Sequence, residues 1–264
     1  LNQQSATSAA ITLTNGSLTY KLGDAGHLSS AEKAVNGPMS GAVDAEARVD
    51  SFNGFSVGMA VGPGTLTVAL DENKGNTVMG EGLLTLACGG NTTGYGLNFS
   101  GDVGADLTFT YAAGSVTGDK GACLDSATAG VADNASNTSS SSTMGLGVAV
   151  PIGGMSLAFD YEATATSATD NATDSTVARS GYEISFTMPV SDATVGINIS
   201  SQVTSAKAGS ATAVDTTNAG TEVWYSTPIG PVTLAVGYGA SSSAVGTATA
   251  STASEFGAKM SMSF

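Results

Sequence analysis

Charged residues are scarce in this sequence. Only 11% of its 264 residues are Asp, Glu, Lys or Arg, less than half of the roughly 25% usual in soluble globular proteins. The balance is acidic, with 22 Asp and Glu against 8 Lys and Arg and a formal net charge of −14. Phosphate binding requires clustered basic side chains, so nucleic acid is not an expected partner.

Long hydrophobic runs are also missing, although 41% of the residues are hydrophobic. No stretch approaches the ~18 consecutive apolar residues of a transmembrane helix. Strands that alternate between lipid-facing and water-facing residues would explain an apolar, charge-poor chain without such a run. The 35 glycines, against 6 prolines, argue further against a helical protein, because glycine disfavours helix interiors.

Histidine and cysteine, on which much catalysis and metal binding depend, are nearly absent. The single histidine, His27, lies in a polar stretch and is interpreted as a solvated loop residue. Cys88 and Cys123 are too few for a metal cluster and are predicted to form one disulfide in an oxidising compartment. The sequence motifs of nucleotide binding, metalloproteases and serine hydrolases are missing. We therefore expect no enzyme activity, no cofactor and no metal site.

The last nine residues, FGAKMSMSF, alternate strictly between apolar and small or polar residues. Side chains point to opposite faces along a strand, so this pattern predicts one apolar face and one polar face. The same alternation recurs upstream in pairs of runs around a short turn, as in YEISFTMPVSDATVGINIS and EVWYSTPIGPVTLAVGYG. The sequence therefore predicts a β-meander.

Along the chain, a short connection between two strands is followed by a long one, and this order repeats. The long ones are rich in Ser, Thr, Ala, Gly and Asp and span about 114–143, 164–180, 204–220 and 240–253. Aromatic residues of the apolar faces lie at strand ends beside the long loops: Tyr111, Tyr161, Tyr182, Tyr238 and Phe256. Loops segregated by length and aromatic girdles are typical of membrane barrels. We predict an all-β fold with one domain over 1–264, a closed antiparallel transmembrane β-barrel of 14–16 strands with short periplasmic turns and long extracellular loops.

The polar faces of these strands carry most of the charged residues. Asp44, Glu46, Arg48 and Asp50 share one face that cannot contact lipid, so in a barrel it lines the lumen. The predicted pore-lining residues are Asp44, Glu46, Arg48, Asp50, Asp106, Asp160, Glu162, Glu183, Glu222, Glu255 and Lys259. Because carboxylates dominate these faces, we expect the lumen to prefer cations.

The C-terminal strand resembles the signal strand of bacterial outer-membrane β-barrels, which ends in Phe; the resemblance assigns this role to Phe256, Met260, Met262 and Phe264. From about Met144 to Phe264 the hairpins resemble the general porins of alphaproteobacteria. This implies a cell outer-membrane protein, usually a homotrimer in contact with lipid, through which small hydrophilic solutes and cations diffuse passively. It also implies an inward-folded constriction loop, for which the candidates are Asp119, Lys120, Asp125 and Asp133.

A second interpretation is a secreted or cell-surface β-rich structural protein, such as a sheath, surface-layer or filament subunit. Its apolar rows would then be contacts between subunits instead of a lipid-facing surface. The first ten residues, LNQQSATSAA, show neither a basic nor an apolar leader, so the sequence is interpreted as a mature, cleaved form.

Overall fold

Thirteen antiparallel β-strands form a single sheet in the computed structural model, which describes residues 10–25, 27–28, 31–35, 37–38, 52–74, 90–118, 138–170 and 173–262. Each strand pairs with the next one in the sequence. The strands are β1 (Ala10–Asn15), β2 (Leu18–Ala25), β3 (Phe52–Val61), β4 (Gly64–Lys74), β5 (Gly90–Asp102), β6 (Asp106–Gly118), β7 (Thr138–Ile152), β8 (Met155–Asp170), β9 (Thr173–Val190), β10 (Ala193–Ala208), β11 (Val214–Ile229), β12 (Val232–Val245) and β13 (Ser251–Met262). Within these residues no helix is long and apolar enough to cross a membrane.

Tight turns join the strands at one end of the sheet. The six connections there, residues 16–17, 62–63, 103–105, 153–154, 191–192 and 230–231, contain two or three residues each. The first turn contains the Asn15-Gly16 pair, with a φ of 62° at Gly16. Glycine adopts this left-handed conformation at little cost, whereas the fifth turn places Ser191 there, at a φ of 56°. Every connection at this end is short, as the sequence predicts.

The strands of the C-terminal half extend further than predicted at the opposite end. Only 171–172, 209–213 and 246–250 separate the paired strands there, so the expected long loops at 164–180, 204–220 and 240–253 were wrong over most of their length. Ser and Thr runs lack alternation, but β-branched Thr suits a strand and each run pairs with a neighbour of the same kind. Strands of 14–18 residues exceed the 9–11 needed to cross a bilayer, so they project beyond it.

Burial is inverted relative to a water-soluble protein. Apolar side chains such as Ile199 (45% exposed) and Phe256 (73% exposed) cover the outer face of the sheet. Polar side chains such as Glu183 and Asn198 lie almost fully buried on the inner face. Two pairs of outward-facing aromatic residues are direct cross-strand partners. They are Tyr161 with Tyr182 and Tyr238 with Phe256. The alternation therefore assigns the two faces correctly, with the apolar one outside.

The two edges of the sheet are β1 and β13, which are not paired with each other in the described part of the chain. An antiparallel meander with an odd number of strands runs its first and last strands in the same direction. Direct pairing of these edges would therefore be parallel, and antiparallel closure requires an odd number of further strands. The described ranges thus contain thirteen strands against the predicted 14–16, and an even total is the rule in bacterial single-chain barrels.

Candidate functional site

Part of the connection between β2 and β3 lies against the interior face of the sheet. The described residues of this connection, 27–28, 31–35 and 37–38, are called the inner segment below. It begins at His27, which is 3% exposed. His27 Nδ1 lies 2.7 Å from the Ser56 hydroxyl on β3, and Nε2 lies 2.8 Å from the Gly23 carbonyl oxygen. The interpretation of His27 as a solvated loop residue was therefore wrong, because the interior of the sheet covers it.

The inner segment next packs on small residues of the wall. Leu28 forms a buried apolar cluster with Ala69 of β4 and Ala112 of β6. Ala31 then lies against Gly147 of β7, so closely that a Cβ atom at Gly147 would overlap the Ala31 carbonyl oxygen. Small side chains at these wall positions therefore let a backbone lie directly on the sheet.

Asp160 of β8 holds the middle of the inner segment. The Lys33 backbone N–H donates to both carboxylate oxygens at 2.8 Å, and the Ala34 N–H donates at 2.6 Å. Asp160 is 1% exposed, so these N–H groups supply donors that water cannot. The Lys33 ammonium group reaches Asp106 at the start of β6, at 2.9 Å.

The last residues of the inner segment reach β9, β11 and β12. The Val35 N–H donates to the Ser185 hydroxyl at 2.9 Å, and the Gly37 N–H donates to Glu222 Oε2 at 3.0 Å. A side chain at Gly37 would overlap Glu222. The Val35 side chain is 44% exposed. The backbone of the inner segment therefore faces the wall here, while Val35 faces the space inside the sheet.

These contacts follow the order of the strands, from Ser56 on β3 to Gly237 on β12, beside which the Pro38 ring lies. Eleven residue steps from 27 to 38 span at most about 36–40 Å when extended. Nine strand spacings along the wall amount to about 42–44 Å. The inner segment follows a shorter path inside the wall, and its described residues contact strands from β3 to β12. It is a belt along the wall that narrows the interior.

The wall residues that hold the middle of this belt belong to two adjacent rows of cross-strand partners. The first row, called the interior ladder below, consists of Asp106, Ala149, Ala158, Ser185, Asn198, Glu222, Gly239 and Glu255. The second row contains Gly147, Asp160 and Glu183 as direct neighbours. Glu183 accepts a hydrogen bond from the Asn198 side-chain amide. The two rows join carboxylates, hydroxyls and amides of β6 to β13 into one polar surface.

The structure places seven predicted pore-lining residues on this inner face. Asp160, Glu162, Glu183 and Glu222 are buried there, and the inner segment covers Asp160 and Glu222 directly. Asp106 has a side chain that is 57% exposed, and Glu255 and Lys259 of β13 are exposed as well. Phe256, Met260 and Met262, predicted to belong to the assembly signal, lie on the outer face of β13.

Several predicted residues lie outside the described part of the chain. The remaining pore-lining candidates there are Asp44, Glu46, Arg48 and Asp50. The constriction-loop candidates are Asp119, Lys120, Asp125 and Asp133, and the disulfide candidates are Cys88 and Cys123, together with Phe264 of the assembly signal.

Sequence reasoning missed the residues that narrow the interior: Lys33, Val35 and Gly37. The stretch that contains them has no alternation, and its burial depends on wall residues more than 100 positions away. A weak signal was present in the glycines of alternating strands, such as Gly147 and Gly237, which leave space for a backbone.

The comparisons with known proteins agree on the architecture. The structure is similar to the FrpB iron transporter from Neisseria meningitidis (F3-3 variant), with a TM-score of 0.57 and 12% identity over 76% of this chain. The chain covers only 40% of the length of that transporter. It is also similar to outer-membrane expressed OmpT of Vibrio cholerae, with a TM-score of 0.51 and 10% identity, over 96% of this chain and 79% of the other.

No protein-family model matches the sequence, and the search of curated proteins gives no match. The structural assignment therefore rests on the fold. An antiparallel meander with an apolar exterior, a polar interior and these two structural neighbours is the fold of outer-membrane β-barrel proteins, which is consistent with a location in the outer membrane.

Proposed function

We propose that this protein is an outer-membrane porin of the general type found in alphaproteobacteria, through which small hydrophilic solutes diffuse passively. The observation that carries the proposal is the belt formed by the inner segment along a polar wall. Barrels of about eight strands fill their interior with side chains, whereas those of 16–18 strands leave an aqueous channel. A sheet of thirteen or more strands lies between these limits, and a belt along its wall sets the remaining width.

The charges on the inner face favour cations. The carboxylates there include Asp102, Asp106, Asp160, Glu162, Glu183, Glu222 and Glu255, and the basic residues include Lys21, Arg179 and Lys259, while the inner segment adds Glu32 and Lys33. Covering a carboxylate with N–H donors does not remove its charge, and a low-dielectric wall concentrates the resulting field in the lumen. We therefore propose a preference for cations over anions.

The proposal includes two partners, lipid and further copies of this chain. Lipid surrounds the apolar outer face, and a homotrimer is the assembly that the resemblance to general porins implies. Enzyme activity is not part of the proposal, because the inner face carries carboxylates, hydroxyls and amides that are already engaged with the inner segment or with one another.

Conductance in a planar lipid bilayer tests this function. Refolded protein should insert as stable channels, and a KCl gradient should give a reversal potential of the sign expected for K⁺ preference. The preference should weaken at high salt, since the Debye length falls from about 10 Å at 0.1 M to about 3 Å at 1 M. An anion-selective channel would contradict the proposed cation preference and leave the proposed porin function standing.

Absence of conductance from folded protein would contradict the porin proposal as a whole. The interpretation as a surface or filament subunit would then be favoured, since the edges β1 and β13 are unpaired within the described residues. Electron microscopy of concentrated protein would check for filaments directly.

A further inference from the structure

The inner segment is bound to the wall mainly through its backbone. Four contacts are made by main-chain N–H groups, from Lys33, Ala34, Val35 and Gly37. Their acceptors are the carboxylates of Asp160 and Glu222 with the Ser185 hydroxyl between them. Main-chain N–H groups are common to all peptides, so the wall recognises a feature that is not unique to this segment.

The wall also complements a positively charged peptide. Two carboxylates and Asp106, which pairs with the Lys33 ammonium group, surround the bound stretch. Glu183 lies directly across from Asp160 on the neighbouring strand. A cationic side chain beside these carboxylates makes charge-assisted hydrogen bonds, which are stronger than those between neutral groups. A cationic peptide therefore gains more at this surface than a neutral or acidic one.

A separate observation at the far end of this surface points to an additional partner. Trp224 of β11 is 7% exposed, and its indole packs over Gly196 and beside Gly37. The indole N–H has no hydrogen-bond partner in the described part of the structure. A buried donor without a partner is uncommon in folded proteins, and here it lies where the inner segment meets the wall. A ligand with a carbonyl group at this point would satisfy it.

From these contacts we infer that Asp160, Ser185, Glu222 and Trp224 form a binding site for short, positively charged oligopeptides, and that the inner segment occupies this site until such a solute displaces it. This inference rests on the proposed porin function, because it names a solute class for that lumen. The segment acts as an intramolecular competitor with an effective concentration in the millimolar range. Free peptides therefore bind the resting protein weakly, and a variant with a weakened segment binds them better.

Fluorescence of the single tryptophan provides the binding assay, because Trp224 touches the inner segment. The full-length protein, folded in detergent, is titrated with the amidated peptide Lys-Ala-Val-Asn-Gly, which has the sequence of residues 33–37. The matched control peptide is Glu-Ala-Val-Asn-Gly. We expect a saturable change in Trp224 emission, with half-saturation about tenfold lower for the lysine peptide, because its charge complements the carboxylates. Equal half-saturation concentrations for the two peptides on the unmodified protein would overturn the inference.

Two substitutions then test the contributions of the segment and of the binding site separately. Gly37→Val on the segment overlaps Glu222 and leaves the wall unchanged, so peptide affinity should rise about tenfold through loss of the internal competitor. Asp160→Asn in that background should lower affinity about tenfold, since it removes the charged acceptor. Asp192→Asn, in an exposed turn away from the site, is the control and should have no effect.

An unchanged affinity in Gly37→Val, or an unchanged affinity on adding Asp160→Asn, contradicts the inference. Bilayer conductance of the same preparations reports the porin function separately. Peptide binding without conductance would overturn only the proposed function, whereas conductance without peptide binding would overturn only this inference.

Discussion

Asp160 on β8 and Glu183 on β9 are direct cross-strand partners, and both carboxylates are almost completely buried. Like charges directly opposite each other destabilise a sheet, so each group depends on its own donors. The inner segment supplies them to Asp160, and the Asn198 amide supplies one to Glu183. The wall and the inner segment therefore stabilise each other.

This arrangement predicts opposite effects for two isosteric substitutions. Glu183→Gln removes one of two opposed charges and keeps an oxygen for Asn198, so it should stabilise the fold by about 0.2–1 kcal/mol. Asp160→Asn deprives the segment's N–H groups of a charged acceptor and should destabilise by about 1–3 kcal/mol. Urea unfolding of the refolded barrel measures both values. Effects of the same sign would contradict the division of roles between the two carboxylates.

Gly147→Ala should narrow the channel. The added methyl group overlaps the Ala31 carbonyl oxygen, so the inner segment must move away from β7 and further into the interior while the outer face stays unchanged. We expect a lower single-channel conductance than that of the unmodified protein. Gly58→Ala is the matched control, because the closest atom to its Cβ would be the Thr67 hydroxyl oxygen at 3.3 Å. Equal conductance in both variants would show that the segment does not limit ion flow.

Substitutions of Lys33 and of Asp106 should shift ion selectivity in opposite directions. Their ion pair is 2.9 Å long, but the Asp106 side chain is 57% exposed, so its loss should change stability by less than about 1 kcal/mol. Lys33→Ala leaves the Asp106 charge uncompensated and should increase K⁺ preference. Asp106→Asn should decrease it. Reversal potentials in a KCl gradient measure both shifts, and the difference should shrink as the salt concentration rises.

Neighbouring residues of β13 should respond differently to a positive charge. Met260 is 71% exposed on the apolar outer face, so Met260→Arg places a charge in lipid at a cost of about 1–4 kcal/mol, depending on depth. Ser261 lies on the opposite face, and Ser261→Arg should be tolerated. Folded yield after assembly into lipid vesicles compares them. Similar yields for the two variants would contradict a lipid-facing outer surface.

The period-two pattern was enough to predict the strands, their faces and the short turns. It placed Asp160, Glu183 and Glu222 on the inner face because their apolar neighbours occupy every second position. It failed where neither face is apolar: the Ser- and Thr-containing stretches that begin at Thr164 and Thr204 continue as strands through pairing alone. It also failed for His27 to Pro38, whose burial is created by wall residues that are distant in the sequence.

The inner segment also constrains the order in which the protein matures. Its hydrogen bonds join residues separated by 127, 150 and 185 positions, and contacts of such long range form slowly. The acceptors on β8, β9 and β11 reach their final spacing only when those strands have paired. We therefore expect the belt to settle on the wall only after these strands have paired, so that a newly made molecule has a wider interior until then.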